Sequence, residues 1–300
     1  MPTDSGIFRD DTDTPVGGRI IRAYRRDTGA LIGSALSSDG LAIPGDPYLS
    51  DRVLLIRGGG ASIVDECPTP RTIAVNGNAG IVAADSTFDG QAIQFDGSGD
   101  FLTLDGHSSL AFGSGDFSIE MRIQPGSVTG DKMLIDFRPN GGNGAYPCLY
   151  LNGSSIAYYV SSVERISASH GMSAMTGYNV EICRKAGVTR LFINSVQVGS
   201  AYTDSTVYLN GAGRPVIGAN GFNTSSSNFS GLIGKIRLSR RADLDASFTP
   251  INQPFYTTAP IAATPMGSYS ITHSHTGERQ FVFLDDAGGT TYNDKIARVV

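Results

Sequence analysis

Tryptophan is absent from this chain, and cysteine occurs three times, at Cys67, Cys148 and Cys183. An odd number of widely spaced cysteines with no CxxC pair argues against a disulfide framework and against a cysteine-held metal. The simplest reading is free, partly buried thiols in a chain made in a reducing cytoplasm. Charge is scarce too: 17% of residues are Asp, Glu, Lys or Arg, and the net charge is −5. The pairs Arg25-Arg26 and Arg240-Arg241 are isolated, so no basic stripe offers itself to nucleic acid. No apolar run approaches the roughly 18–20 residues of a membrane helix, which argues against membrane insertion. The opening MPTDSGIFRDDTDTPVGG is acidic and polar, without the basic and apolar regions of a secretory signal. Helical signals are missing as well, because glycine or proline interrupts every candidate 3.6-residue period.

Glycine is what the chain has in plenty, with 38 copies spread along its length between short β-forming runs. The pattern is plainest from Phe88 to Pro125, where strands are predicted over Ala92–Phe95, Phe101–Leu104 and Phe117–Ile123. Gly97, Gly99, Gly113 and Gly115 supply the turns. In FSIEMRI, Phe117, Ile119, Met121 and Ile123 face one way and Ser118, Glu120 and Arg122 the other. That period of two marks a half-buried strand. Further strands are expected over Val53–Ile56, Thr72–Val75, Met133–Phe137, Cys148–Leu151, Ile156–Val160, Tyr178–Arg184, Thr189–Ile193, Val196–Gly199, Pro215–Gly218 and Leu232–Leu238. So many short strands at this spacing predict an all-β fold built as a two-sheet antiparallel sandwich.

Two loops look long and polar: Arg138–Pro147 (RPNGGNGAYP) and Ala219–Ser230 (ANGFNTSSSNFS). Such loops on a rigid sandwich are ordinary surface or a place for binding residues. Sugar binding needs an aromatic platform and planar polar groups. Tyr146, Phe222 and Phe229 are the candidate platforms, with Asn140, Asn143, Asn220 and Asn223 as polar partners. The alternative is that these loops contact neighbouring subunits of an assembly. Catalysis is not expected. A retaining glycosidase needs two carboxylates about 5–5.5 Å apart. Along its own strand Glu120 has Ser118 and Arg122 as same-face neighbours, and Glu181 has Asn179 and Cys183, so neither shows a partner acid. No GxSxG occurs in a strand-turn-helix context. His273 and His275 share a strand face, with no third ligand evident.

From about Asp46 to Phe255 the chain resembles the concanavalin A-like lectin/glucanase sandwich in its laminin-G-like form. Four segments carry the likeness: AIQFDGSGDFLTL (92–104), GDFSIEMRIQP (115–125), RLFINSVQVGS (190–200) and GLIGKIRLSRRA (231–242). The variant is most similar to those of tailed-bacteriophage virion proteins. The resemblance implies an antiparallel jelly-roll β-sandwich. It also implies a virion structural protein, a decoration, tail or fibre-type component that displays a lectin-like domain on the particle surface. A host-receptor or glycan-binding adhesin is the alternative, and a glycan hydrolase is disfavoured by the missing carboxylate pair. Partners would be other virion proteins, further copies of the chain and a host surface glycan. The chain would be made in the host cytoplasm and reside in the virion. Calcium is the one ion the resemblance admits, with Asp65, Asp89, Asp96 and Asp100 in turns but no firm ligand set. One departure is that such domains often carry tryptophan near Glu120 and Tyr178.

The two ends read as one further domain. Ile20–Arg25 and Ala30–Leu36 alternate around a turn at Asp27–Gly29, and GSYSIT (267–272), RQFVFL (279–284) and 290–300 supply later strands. Two strands alone would be marginal. RAYRRDTGAL, SDG, GSYSI and VFLDDAGGTTYND together resemble the carboxypeptidase-regulatory-like, prealbumin-like domain of phage proteins, with SSDG and GSYSIT joined as one hairpin. The expected organisation is a small split β-sandwich from 1–44 plus 256–300, serving as anchor, with the lectin-like sandwich of 45–255 inserted into it. The linkers are Leu41–Pro47 and Phe255–Met266.

Overall fold

The computed structural model describes residues 3–7, 20–36, 46, 48–57, 62–242, 268–272, 274, 276–277, 279–284 and 291–292. Among these the strands run β1 (Thr3–Ile7), β2 (Ile20–Arg25), β3 (Leu31–Leu36), β4 (Arg52–Ile56), β5 (Ile73–Asn76), β6 (Gly80–Ala83) and β7 (Gln91–Asp96). There follow β8 (Phe101–Leu104), β9 (Phe117–Pro125), β10 (Asp131–Asp136), β11 (Cys148–Asn152), β12 (Ser155–Val160), β13 (Val163–Ser169) and β14 (Tyr178–Lys185). The last are β15 (Val188–Ile193), β16 (Val196–Thr203), β17 (Val216–Ile217), β18 (Ser230–Ser239), β19 (Ser268–Thr272), β20 (Arg279–Leu284) and β21 (Thr291–Tyr292). The described helices are three-residue 3-10 turns, and no helix is long and apolar enough to cross a membrane. The chain divides into two compact units, Met1–Pro47 with Thr258–Val300, and Tyr48–Thr257.

In the larger unit a seven-stranded sheet runs β13, β12, β11, β10, β17, β8, β5. An eight-stranded sheet runs β16, β15, β14, β9, β18, β7, β6, with β4 paired to β18. Both are antiparallel throughout. The alternation of β9 works as its sequence requires. Phe117, Ile119, Met121 and Ile123 enter a core shared with Leu102 and Leu104 of β8, Leu149 and Leu151 of β11, and Tyr158 of β12. Phe112 stacks on Phe117 at 4.6 Å between ring centroids, and Tyr208 meets Phe117 edge-on at 5.1 Å. The larger unit is thus an all-β sandwich of two antiparallel sheets around one core.

Three strands were not foreseen: β1, β6 and β13. The last follows a two-residue hairpin at Ser161-Ser162, between the paired residues Val160 and Val163. Both serines have positive φ, 54° and 64°. A tight hairpin needs that backbone, but its usual sequence signal is Asn-Gly or Asp-Gly. The hairpins at Ala186-Gly187 and Asn194-Ser195 have the same positive-φ pairs and carry the Gly or Asn that announces them.

In the smaller unit β1 pairs antiparallel with β19, from Thr3↔Thr272 to Ile7↔Ser268. A second sheet runs β21, β20, β2, β3. Strands from the two chain ends therefore pair with each other in both sheets. The described partner of Ser268–Thr272 is β1, and the Ser37–Gly40 side of the expected hairpin lies outside the described residues. His273, His275 and Glu278 also lie outside it, as do both linkers apart from Asp46.

Candidate functional site

The two polar loops meet at one buried ion pair. Asp136 ends β10, and Arg138 stands two residues on, so strand geometry puts both side chains on the same side. Arg138 donates from Nε to Asp136 Oδ1 at 3.0 Å and from Nη2 to Oδ2 at 2.7 Å. Asp136 is fully buried and also accepts the backbone N–H of Arg138 at 2.9 Å and of Gly221 at 2.8 Å. Gly221 must be glycine for this approach, since a Cβ would stand 2.8 Å from Arg138 O and 2.9 Å from Asp136 Cγ. Arg138 is 8% exposed. Burial works against its charge, but the hydrogen bonds it donates to Asp136, together with the charge of that carboxylate and neighbouring acidic groups, outweigh that and raise the guanidinium further above its ordinary range.

Arg138 then organises the surface. Nη1 donates to Asn143 Oδ1 at 3.2 Å and Nη2 to Asn220 Oδ1 at 3.0 Å. The rings of Tyr159 and Phe222 lie over the guanidinium at 5.1 and 5.8 Å. Gly141 N donates to Phe222 O at 2.9 Å, joining loop to loop. Arg214 adds two bonds, from Nε to Arg138 O at 2.6 Å and from Nη2 to Gly221 O at 2.8 Å. Within 220–226 the turn closes on itself, with Asn220 N donating to Ser226 O and Asn223 Oδ1 accepting from Ser225 N at 3.1 Å. Beneath the site Cys148 is fully buried beside Met133, its thiol pushed well up by burial and then by the charge of Asp136.

Of the residues singled out from sequence, Asn143, Asn220 and Phe222 converge on Arg138. Asn140, Asn143 and Asn223 are exposed around it. Tyr146 is half-buried and packs against the core. Phe229, expected as a platform, is fully buried and meets Phe95 edge-on at 6.3 Å, so its ring faces the core. Sequence reasoning missed Asp136, Arg138, Tyr159 and Arg214. The Asp-x-Arg spacing at the end of an apolar strand was the available signal for the first two.

A second polar row corrects an expectation. In the pairing of β9 with β14, Glu181 stands directly opposite Glu120, so Glu120 does have a carboxylate neighbour on its face. The neighbour comes from another strand, which spacing along one strand cannot reveal. Arg237, opposite Glu120 on β18, clamps it with bonds of 2.8 and 2.6 Å. Flanking residues in these rows, Phe192, Leu55 and Cys183, are fully buried.

The aspartates considered for calcium are spoken for. Asp65 accepts backbone N–H groups of Leu55, Cys67 and Arg71, and Asp100 those of Asn78 and Asp96. Asp96 accepts from Ser98 N, and Asp89 pairs with Lys235 at 2.8 Å. Among the described residues no three His, Cys, Asp or Glu side chains cluster as metal ligands would.

The sequence matches the concanavalin A-like lectin/glucanases superfamily over residues 96–246, a span that includes both loops. No curated protein matches it. Among solved structures, the binding domain of Paraclostridial Mosquitocidal Protein 1 is similar at a TM-score of 0.51 and 14% identity, over 66% of this chain and 50% of that one. The binding domain of botulinum neurotoxin DC, in complex with rat synaptotagmin II, gives 0.52 and 14%, over 66% and 50%. A structure of botulinum neurotoxin type C, whose cell entry depends on interaction with two ganglioside molecules, gives 0.51 and 14%, over 66% and 49%. This chain thus spans about half the length of those chains, and at such identity the likeness is one of fold. Because the family match extends over half of the chain and through both sheets of the sandwich, the protein belongs to the concanavalin A-like lectin/glucanases superfamily.

Proposed function

We propose that the Tyr48–Thr257 unit is a glycan-binding module and that its binding surface is the pair of loops fastened by Arg138. The observation that carries this is the convergence of Asn143, Asn220, Phe222 and Tyr159 on one buried, charge-compensated guanidinium. Such a hub holds amide groups and aromatic faces still, which lowers the ordering cost of binding. Asp136 neutralises the cation, so the surface suits a neutral, hydroxyl-rich ligand better than a strongly anionic one. The interaction with two ganglioside molecules named for the botulinum neurotoxin type C structure is compatible with this reading.

The wider setting is a virion component, on the strength of the sequence resemblance. There the split unit serves as anchor and the sandwich projects as an adhesin, as a homo-oligomer among other virion proteins. Glycan hydrolysis is the lesser reading. The Glu120–Glu181 juxtaposition favours it, but Glu120 is clamped by Arg237 and the flanking side chains are buried, which disfavours it.

A glycan array probed with the full chain tests the proposal. Binding should appear and fall at least about tenfold in Phe222→Ala and in Asn143→Ala, with the melting temperature little changed. Binding untouched by either substitution, or none to any glycan, would sink it.

A further inference from the structure

Asparagine precedes glycine six times in the chain, at Asn76, Asn140, Asn143, Asn152, Asn210 and Asn220. At such a step the glycine nitrogen can attack the asparagine side-chain carbonyl, because glycine sets no Cβ in the path and restricts the backbone least. The fold treats the six steps differently. Gly141 N donates to Phe222 O at 2.9 Å, Gly153 N to Gly130 O at 3.3 Å, Gly211 N to Phe137 O at 3.0 Å and Gly221 N to Asp136 Oδ2 at 2.8 Å. Those four nitrogens are held by acceptors. Asn76 ends a paired strand, and its Nδ2 is held by the carbonyls of Ala74 at 3.4 Å and Phe101 at 3.3 Å.

Asn143 combines three other conditions. It is exposed. Among the described residues no acceptor takes the Gly144 N–H, and Gly144 has φ 155°, a region open to glycine. Its Oδ1 accepts Nη1 of Arg138 at 3.2 Å. Negative charge gathers on that oxygen when the carbonyl is attacked, and a fixed cationic N–H aimed at it is a donor of the oxyanion-hole kind.

We propose that Asn143 is a self-modifying site, at which the chain's own Arg138 promotes loss of the side-chain amide. Solvent base takes the Gly144 N–H proton, and the nitrogen bonds to Asn143 Cγ. The charge on Oδ1 rests against Arg138, the Cγ–Nδ2 bond breaks, and ammonia leaves with a proton from water. Water then opens the cyclic imide at either carbonyl, giving aspartate or isoaspartate at position 143. No oxidant or cofactor takes part. The product places a new carboxylate against Arg138 and, as isoaspartate, lengthens the loop backbone by one carbon. This chemistry holds whatever the surface binds.

Incubation of the full chain at mildly alkaline pH, with peptide mapping by mass spectrometry, follows all six steps at once. Asn143 should convert at least about tenfold faster than the other five. Asn140 is the internal control, also exposed and three residues away in the same loop. Conversion of Asn143 no faster than Asn140 overturns the proposal. Arg138→Lys keeps a cation near Asp136 but lacks the planar fork that reaches Asn143. It should slow conversion at Asn143 severalfold, and an unchanged rate there removes Arg138 from the reaction.

Discussion

Arg138 bonds to Asp136, Asn143 and Asn220 and lies under two aromatic rings, and its worth lies in what its loss would expose. Asp136 has no contact with solvent, so its charge is tolerable only beside that guanidinium and the two backbone N–H groups. Removing one partner of a buried pair leaves an uncompensated charge, which costs about 3–5 kcal/mol. Arg138→Met should therefore lower the urea midpoint sharply, while Asp136→Asn with Arg138→Met together should recover part of the loss. A single substitution with no effect on stability would mean that Asp136 is hydrated. The Tyr158–Tyr208–Asp204 chain, with O–H···O distances of 2.6 and 2.5 Å inside the core, follows the same rule that a buried polar group is kept only when it is bonded. The tyrosine chain is not legible in sequence order, because Tyr158 and Tyr208 lie fifty residues apart, and of the Arg138 grouping only the Asp136-x-Arg138 spacing is, since Asn220 lies eighty-two residues on. Phe229 shows the converse error. It looked like a loop aromatic among Asn and Ser, yet a hydrophobic ring next to a strand turns inward where the core has room.

Among the elements, the strands with strict alternation and glycine-marked turns were readable, and β9 is the model case. β13 was not, because VERISAS holds one core side chain, Ile166, and its turn is built of two serines. An L-residue in the left-handed region costs roughly 1–2 kcal/mol. Replacing Ser161-Ser162 with Asn-Gly should relieve part of this and stabilise the unit by about 1 kcal/mol, read as a higher melting temperature at unchanged binding. A lower melting temperature would show that the serine side chains contribute something the backbone argument omits. The loops behave as extensions of the strands that carry them. Loop 138–147 continues β10, loop 219–230 continues β17, and these are adjacent strands of one sheet, which is why two segments eighty residues apart share a single ion pair.

For the whole molecule, β1 pairs with β19, and β2 pairs with β20 as well as with β3, so both β1 and β2 take a partner from beyond residue 257. A chain of residues 46–255 should unfold in one cooperative transition, whereas residues 1–44, left with the β2–β3 hairpin, should show none. Circular dichroism against urea decides it, and a cooperative transition in 1–44 would refute the split arrangement.

Period-two hydrophobicity and glycine placement belong to the local chain. They were enough to establish an all-β sandwich and to place most of its strands, because burial of one strand face is dictated residue by residue. Pairing is a different matter. Which carboxylate faces Glu120, which loop reaches Arg138 and which strand partners Ser268–Thr272 depend on register between segments far apart in sequence. Those juxtapositions form only when the sheets close, so tertiary structure alone decided them.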